Sequence, residues 1–174
     1  MTDEAPGKRT GKAVFGAGCF WHPQHVFDQI DGVTATAVGY MGGTLRRPGY
    51  TDVCGGNSGH AEVVQVEYDP ERVSYDELLG VFFDIHDPCQ LNRQGADIGR
   101  QYRSVIFCRD DAQEASARCA KAVLQESGDL PFPVVTAIEP AKTFWIAEDY
   151  HQKYVERMNR PGLIETLLAK LKRR

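Results

Sequence analysis

The sequence predicts an α+β fold, a ferredoxin-like split β-α-β two-layer sandwich with helices on one face of a mixed sheet. Two observations carry it. Strand-like and helix-like runs follow one another in the order β-α-β-β-α-β, and a further helix, a further strand and a helical C-terminal tail extend that core. No repeat or linker interrupts the 174 residues, so a single domain over 1–174 is expected, with residues 1–11 flexible.

The elements follow in order. Lys12 to Ala17 is a short apolar run, the first strand. Pro23 to Gln29 forms the first helix: proline suits the first turn, where its missing N–H leaves nothing unpaired, and Val26, Phe27 and Ile30 follow at helical spacing. Asp31-Gly32 turns the chain into Val33 to Val38, a β-rich second strand. Gly39 to Gly59 reads as one long glycine-rich loop, and loops of that length inside a compact domain usually serve function. Ala61 to Tyr68 is the third strand, closed by Asp69-Pro70. Ser74 with Glu77 three residues later has the spacing of a capping box, and opens a second helix striped by Leu78, Leu79, Phe82 and Ile85. Asp87-Pro88 ends it. A polar loop from Cys89 to Gln101 leads to the fourth strand, Arg103 to Cys108. Asp110 or Asp111 caps a third helix that Gly128 stops; Val134 to Ile138 is a fifth strand, and the segments from Ala147 and from Gly162 look helical.

Composition bounds the function. The chain is 42% hydrophobic and 25% charged, ordinary for a globular protein, and its net charge of −4 gives no sign of a nucleic-acid partner. The one basic run, Lys170 to Arg174, reads as a solvated helix end. No stretch approaches a membrane span, and Met1 to Lys12 lacks the apolar centre of a secretory signal. A cytoplasmic protein without a membrane partner, acting as a monomer, is expected.

Five cysteines, Cys19, Cys54, Cys89, Cys108 and Cys119, are odd in number and irregular in spacing, unlike a disulfide scaffold. Cys108 in its strand and Cys119 on a helical face with Ala115 and Ala122 read as core fillers. Cys54 and Cys89 lie in polar segments. Cys19 differs from all four. It stands in Gly16-Ala17-Gly18-Cys19-Phe20-Trp21-His22-Pro23, in a turn between strand and helix. Unpaired N–H groups and the positive helix end there favour thiolate, so a lowered pKa is expected.

Alternation in the third strand puts Glu62 on one face with Val64, Val66 and Tyr68, and Val63 on the other. If the first face covers the core, burial raises the pKa of Glu62 and makes it a general acid; if the second does, Glu62 lies in solvent. Tyr50 and Tyr102 in the two polar loops are either hydrogen-bond donors or ordinary loop and strand-entry residues, and Asp97 is either a site residue or a turn residue. Cys19, His22, His25, His60 and His86 could be considered for metal, but Pro23 and the helix direction argue against convergence, and no metal is expected.

Gly18-Cys19-Phe20-Trp21, Gly39-Tyr40-Met41-Gly42-Gly43, Tyr50-Thr51-Asp52-Val53-Cys54 and Gly59-His60-Ala61-Glu62-Val63 together resemble the peptide methionine sulfoxide reductase A family. His86-Asp87-Pro88, Asn92-Arg93-Gln94-Gly95-Ala96-Asp97 and Gln101-Tyr102-Arg103-Ser104 extend the resemblance in order to about Phe107. It implies that Cys19 attacks the sulfur of a methionine S-sulfoxide, in peptide-bound or free form, as protein repair under oxidative stress. It further implies that Glu62 protonates the oxygen, that Tyr50 and Tyr102 donate hydrogen bonds to it, that Phe20 and Trp21 hold the methyl group, and that Asp97 lines the site. Cys19 is left as a sulfenic acid. No prosthetic cofactor is implied, only an external reductant, thioredoxin or another thiol.

The chain departs from the family pattern at His22, Gln24, His25 and Arg46-Arg47, and no cysteine follows Cys119 to match the recycling cysteines that many members carry in the tail. A tail tyrosine is not evident, while His151 matches a tail histidine. Resolution of the sulfenic acid therefore falls to Cys89, the first choice, to Cys54, or to an external thiol. A metal-carrier module of the same fold is the alternative, but it wants a second thiol two or three positions from Cys19, and none is there.

Overall fold

In the computed structural model, which describes residues 10–160, β1 (Gly11–Ala17) precedes α1 (Trp21–Phe27), β2 (Val33–Met41), α2 (Tyr50–Cys54) and β3 (Ala61–Tyr68). Then come α3 (Tyr75–Asp84), the short strands β4 (Arg93–Gln94) and β5 (Asp97–Ile98), β6 (Ser104–Cys108), α4 (Asp111–Glu126), β7 (Ala137–Pro140), β8 (Trp145–Ile146) and α5 (Tyr154–Met158). The fold is α+β. Its six-stranded sheet has the order β7-β6-β1-β3-β2-β8 and is mixed, because β6 and β7 run parallel while the other neighbours are antiparallel. β4 and β5 pair separately as a small hairpin.

Both faces of the sheet centre are buried. On one, Phe15, Val64, Val66 and Ile106 pack against Phe27 of α1, Leu78, Leu79 and Phe82 of α3 and Ala117 of α4. On the other, Val14, Ala61, Val63, Val105 and Phe107 are covered by Ala137, Ala141 and Phe144. The choice between Glu62 and Val63 as the inward residue thus dissolves: both are buried, and Glu62 faces the helices. Ser74 caps α3 as its sequence spacing requires, its hydroxyl accepting from the N–H of Glu77 while the Glu77 carboxylate accepts from Ser74 N–H at 2.8 Å.

Several expectations need correction. The segment from Gly39 to Gly59 is not one loop: β2 continues to Met41, and α2 interrupts the remainder. Gly39 reads as a breaker, yet it sits mid-strand because the Trp145 carbonyl and the Phe144 ring of the edge occupy the space where a Cβ would stand. The fifth strand expected at Val134 to Ile138 begins three residues later and pairs over Ala137–Pro140. Gly11, assigned to the flexible end, already opens β1 opposite Tyr68. The helix expected from Ala147 is a short 3₁₀ turn followed by α5, broken at Lys153, whose φ is 53°. The helix expected from Gly162 lies outside the described residues. Cys119 is exposed, with Ala115 and Ala122 beside it, because α4 buries Gln113 and Ala117 instead.

His86 shows how a polar motif can serve the fold. Its Nδ1 bonds the Phe82 carbonyl at 2.6 Å and its Nε2 bonds Ser104 Oγ at 2.7 Å, with Ser104 in turn 2.7 Å from Thr136 Oγ1. The Phe82 carbonyl requires a proton on Nδ1; with the ring neutral, Ser104 is the donor to Nε2. Burial agrees, lowering its pKa to about 4. Among the described residues no helix is long and apolar enough to cross a membrane.

Candidate active site

Cys19 occupies the turn between β1 and α1, half-buried and reachable from solvent. Gly18 has φ 87°, and a Cβ there would stand 2.7 Å from the Gln94 side chain, so only glycine lets the β4–β5 hairpin lie against this turn. Phe20, next along, donates its N–H to Glu62 Oε2 at 3.2 Å, which fixes the carboxyl of β3 beside the turn that carries Cys19.

The electrostatics of this pair are not those expected for the cysteine. Burial pushes the Cys19 thiol up to about 12. The N–H of Trp21 does bond the sulfur and favours the anion, but Glu62 and Asp97 add negative charge against it. The expected lowered pKa is therefore wrong for the resting protein: α1 has seven residues, and one N–H does not offset desolvation beside two carboxyls. Glu62 is pushed up to about 7, chiefly by burial, with the Phe20 N–H opposing and the charge of Asp97 assisting.

Tyr102 is raised to about 12 by burial and by the charges of Glu62, Cys54, Asp97 and Cys19. Tyr50 is raised by its hydrogen bond to the Cys54 sulfur, then by burial, with Glu62 and Tyr102 acting on it as well. Cys19, Glu62, Asp97, Tyr50, Tyr102 and Cys54 thus lie within electrostatic reach of one another. The Cys89 thiol is engaged differently, donating to the Phe132 carbonyl at 3.1 Å. Asp97 is exposed on the hairpin, where it pairs with Gln94.

Aromatic rings pack around the Cys19 turn. Phe20 is buried, and Trp21 stacks on Tyr154 with centroids 3.8 Å apart. Tyr154, which the sequence reading did not single out, thus packs beside the site. His151 is 1% exposed, accepts a hydrogen bond from Trp21 Nε1 at Nδ1 (3.1 Å) and lies 4.5 Å from the Tyr50 ring centroid. Burial lowers its pKa, so the ring is neutral and carries its proton on Nε2. Two residues to which the sequence assigns no role join the site: Tyr40, fully buried, donates its hydroxyl to Glu148 Oε2 at 2.9 Å, and Glu148 Oε1 accepts the N–H of Tyr50 at 2.8 Å. Among the described residues no three His, Cys, Asp or Glu side chains are placed to hold a metal ion.

Comparison with known proteins agrees with this chemistry. The family profile of peptide methionine sulfoxide reductase matches residues 11–173. A peptide methionine sulfoxide reductase MsrA of Methanoculleus marisnigri is 58% identical over 150 residues, covering 86% of this chain and 92% of that protein. Among solved structures, reduced Mxr1 of Saccharomyces cerevisiae superposes with a TM-score of 0.82 at 34% identity over 90% of each chain. Mxr1 in complex with Trx2 gives 0.60 at 26% identity, over 88% of this chain and 90% of that one. These similarities leave the metal-carrier alternative without support. With a half-exposed thiol beside a buried carboxyl and a match along nearly its whole length, the chain belongs to the peptide methionine sulfoxide reductase family.

Proposed function

We propose that this chain reduces the S-epimer of methionine sulfoxide, in proteins or free, to methionine. The observation that carries the reading is the carboxyl of Glu62, held near a pKa of about 7 beside Cys19, since at neutral pH a large share of it retains a proton to donate. Glu62 delivers that proton to the sulfoxide oxygen, and Tyr50 and Tyr102 hydrogen-bond the same oxygen. The Cys19 sulfur attacks the substrate sulfur as its own proton leaves, and Glu62, now a carboxylate, accepts it. A thiol of high pKa is slow to ionise but strongly nucleophilic once it does, which matches attack coupled to this proton transfer. Oxygen passes to Cys19, the S–O bond of the substrate breaks, and methionine departs; the thiol is oxidised by two electrons to sulfenic acid. Phe20 and Trp21 enclose the methyl group, and Asp97 borders the site.

Cys54 is the better resolving thiol. It is exposed, bonds Tyr50 and acts electrostatically on Cys19, whereas Cys89 shows neither relation. Its thiol displaces water from the sulfenic acid to give a Cys19–Cys54 disulfide, which a thioredoxin-like dithiol then reduces. No prosthetic group is needed, and the Mxr1–Trx2 complex supports this choice of reductant. The order β6-β1-β3-β2 supports a ferredoxin-like core, the unbroken core clusters a single domain, and the absence of a membrane-crossing helix among the described residues is compatible with the cytoplasm.

The test is a first turnover without reductant. One methionine per protein should form from the S-sulfoxide and none from the R-epimer, and Cys19→Ser should form none; methionine from the Cys19→Ser protein refutes the mechanism. With thioredoxin present, Cys54→Ser should complete the first turnover and stall, while Cys89→Ser should continue to cycle. The reverse result would return the role to Cys89.

A further inference from the structure

Glu148 bonds two elements of the site at once and has no part in the chemistry above. One carboxylate oxygen accepts the hydroxyl of Tyr40 at 2.9 Å, and the other accepts the N–H of Tyr50 at 2.8 Å. Tyr40 is no arbitrary anchor: in the β2–β3 ladder it is the register partner of Glu62. Tyr50 is the first residue of α2, a helix of five residues, and its N–H is one of those a helix start leaves unpaired. So short a helix does not hold its own orientation. Two hydrogen bonds therefore refer the position of Tyr50 to the strand beside Glu62, through one side chain delivered from the far end of the chain. Behind the same carboxylate lies His151 Nε2, at 4.0 Å from Oε2, with no hydrogen-bond partner among the described residues. His151 in turn holds Trp21. Burial pushes the Glu148 pKa up, but the Tyr50 N–H, its own N–H and the Tyr40 hydroxyl together hold it below the usual carboxylate range, so the acceptor is charged at neutral pH.

We propose that Glu148 is a positioning residue for the reduction: its carboxylate seats Tyr50 so that the phenol reaches the oxygen shared with Glu62. The proposal rests on the reading of Tyr50 as a donor to that oxygen. Three consequences follow from the geometry. Loss of the carboxylate acts on the step in which charge develops on oxygen, and so on kcat more than on KM. Its effect runs through Tyr50, and so does not add to loss of the phenol. What matters is an acceptor at the right length, so an isosteric amide, which accepts from Tyr50 and donates to the Tyr40 oxygen, substitutes in part.

The experiment measures single-turnover and steady-state rates on a peptide methionine S-sulfoxide, with dithiothreitol as reductant in the latter. Glu148→Ala should lower kcat about tenfold with KM changed less than about twofold. Glu148→Ala combined with Tyr50→Phe should be no slower than Tyr50→Phe alone, and Glu148→Gln should recover most of the loss. If Glu148→Ala does not fold, Glu148→Asp, one methylene too short to span both partners, replaces it with the same expectations. Losses that multiply in the double variant, a rise in KM alone, or a Glu148→Gln protein as slow as Glu148→Ala overturn the positioning role and leave the donor reading intact. A Tyr50→Phe protein with the wild-type rate overturns both, while Cys19→Ser continues to report separately on the reaction itself.

Discussion

The site is assembled from two kinds of support. Glu62 lies where the sheet is packed on both faces, and Cys19 sits half-buried in the turn at the end of β1, whose next residue bonds the Glu62 carboxyl. Tyr50, Tyr102 and Asp97 arrive on a five-residue helix, a 3₁₀ turn and a two-residue hairpin strand, each half-exposed or exposed. In the first region burial does two jobs, fixing the groups and shifting their protonation. In the second, α2 buries Val53 alone and the hairpin leaves Ile98 exposed, so polar side chains such as Glu148 share in the fixing. The nucleophile and the acid are consequently matters of core packing, and the donors are matters of long-range hydrogen bonds.

The contrast can be broken by exchange. Removing the acid should cost most: Glu62→Gln should slow the first turnover by about 10²- to 10⁴-fold. The same protein should lose its pH break. Because the carboxyl must be protonated to act, the wild-type rate should fall as pH rises through about 7, and a Glu62→Gln rate with that break intact would move the acid elsewhere. The loop-borne donors should each matter less, since two share one oxygen. Tyr50→Phe and Tyr102→Phe should each lose about tenfold and the pair about a hundredfold, measured as kcat on the S-sulfoxide; a pair no worse than either single variant would show that only one phenol reaches the oxygen.

The smallest effect falls on stability rather than rate. His86 titrates near 4 when folded and near 6.5 when free, so the unfolded chain binds the extra proton between those values. Stability should be complete above about pH 6.5 and decline as pH falls toward 4. His86→Gln should flatten that decline in urea midpoints, and an unchanged slope would mean that the ring is not buried neutral.

What could be read from sequence divides along the same line. Period-two and helical spacing gave the core strands, the Ser74 cap and the apolar stripe of α3, because these are set by residues a few positions apart. The burial of Glu62 was half legible: alternation named its face, but only the cover of Ala137, Ala141 and Phe144 shows why Val63 is inside too. The Cys19 pKa was misread because a turn and a proline advertise the helix end, while desolvation depends on packing that spacing does not encode. The Tyr40–Glu148–Tyr50 bridge spans more than ninety positions, and no local pattern marks it.

The margin of the sheet beyond β2 has a thermal consequence. β8 pairs through only two residues, and past it the chain is tied on by Ala147 N–H to the Val38 carbonyl and by the amide of Gln152, which takes Val38 N–H and returns a hydrogen bond to its carbonyl, both at 2.9 Å. A margin that holds its last strand by two residues, and the segment beyond it largely through side-chain bonds such as those of Glu148, His151 and Lys153, opens before the central strands do. On warming, the rate of repair should therefore fade several degrees below the loss of ellipticity, with the protein still folded but its phenol adrift.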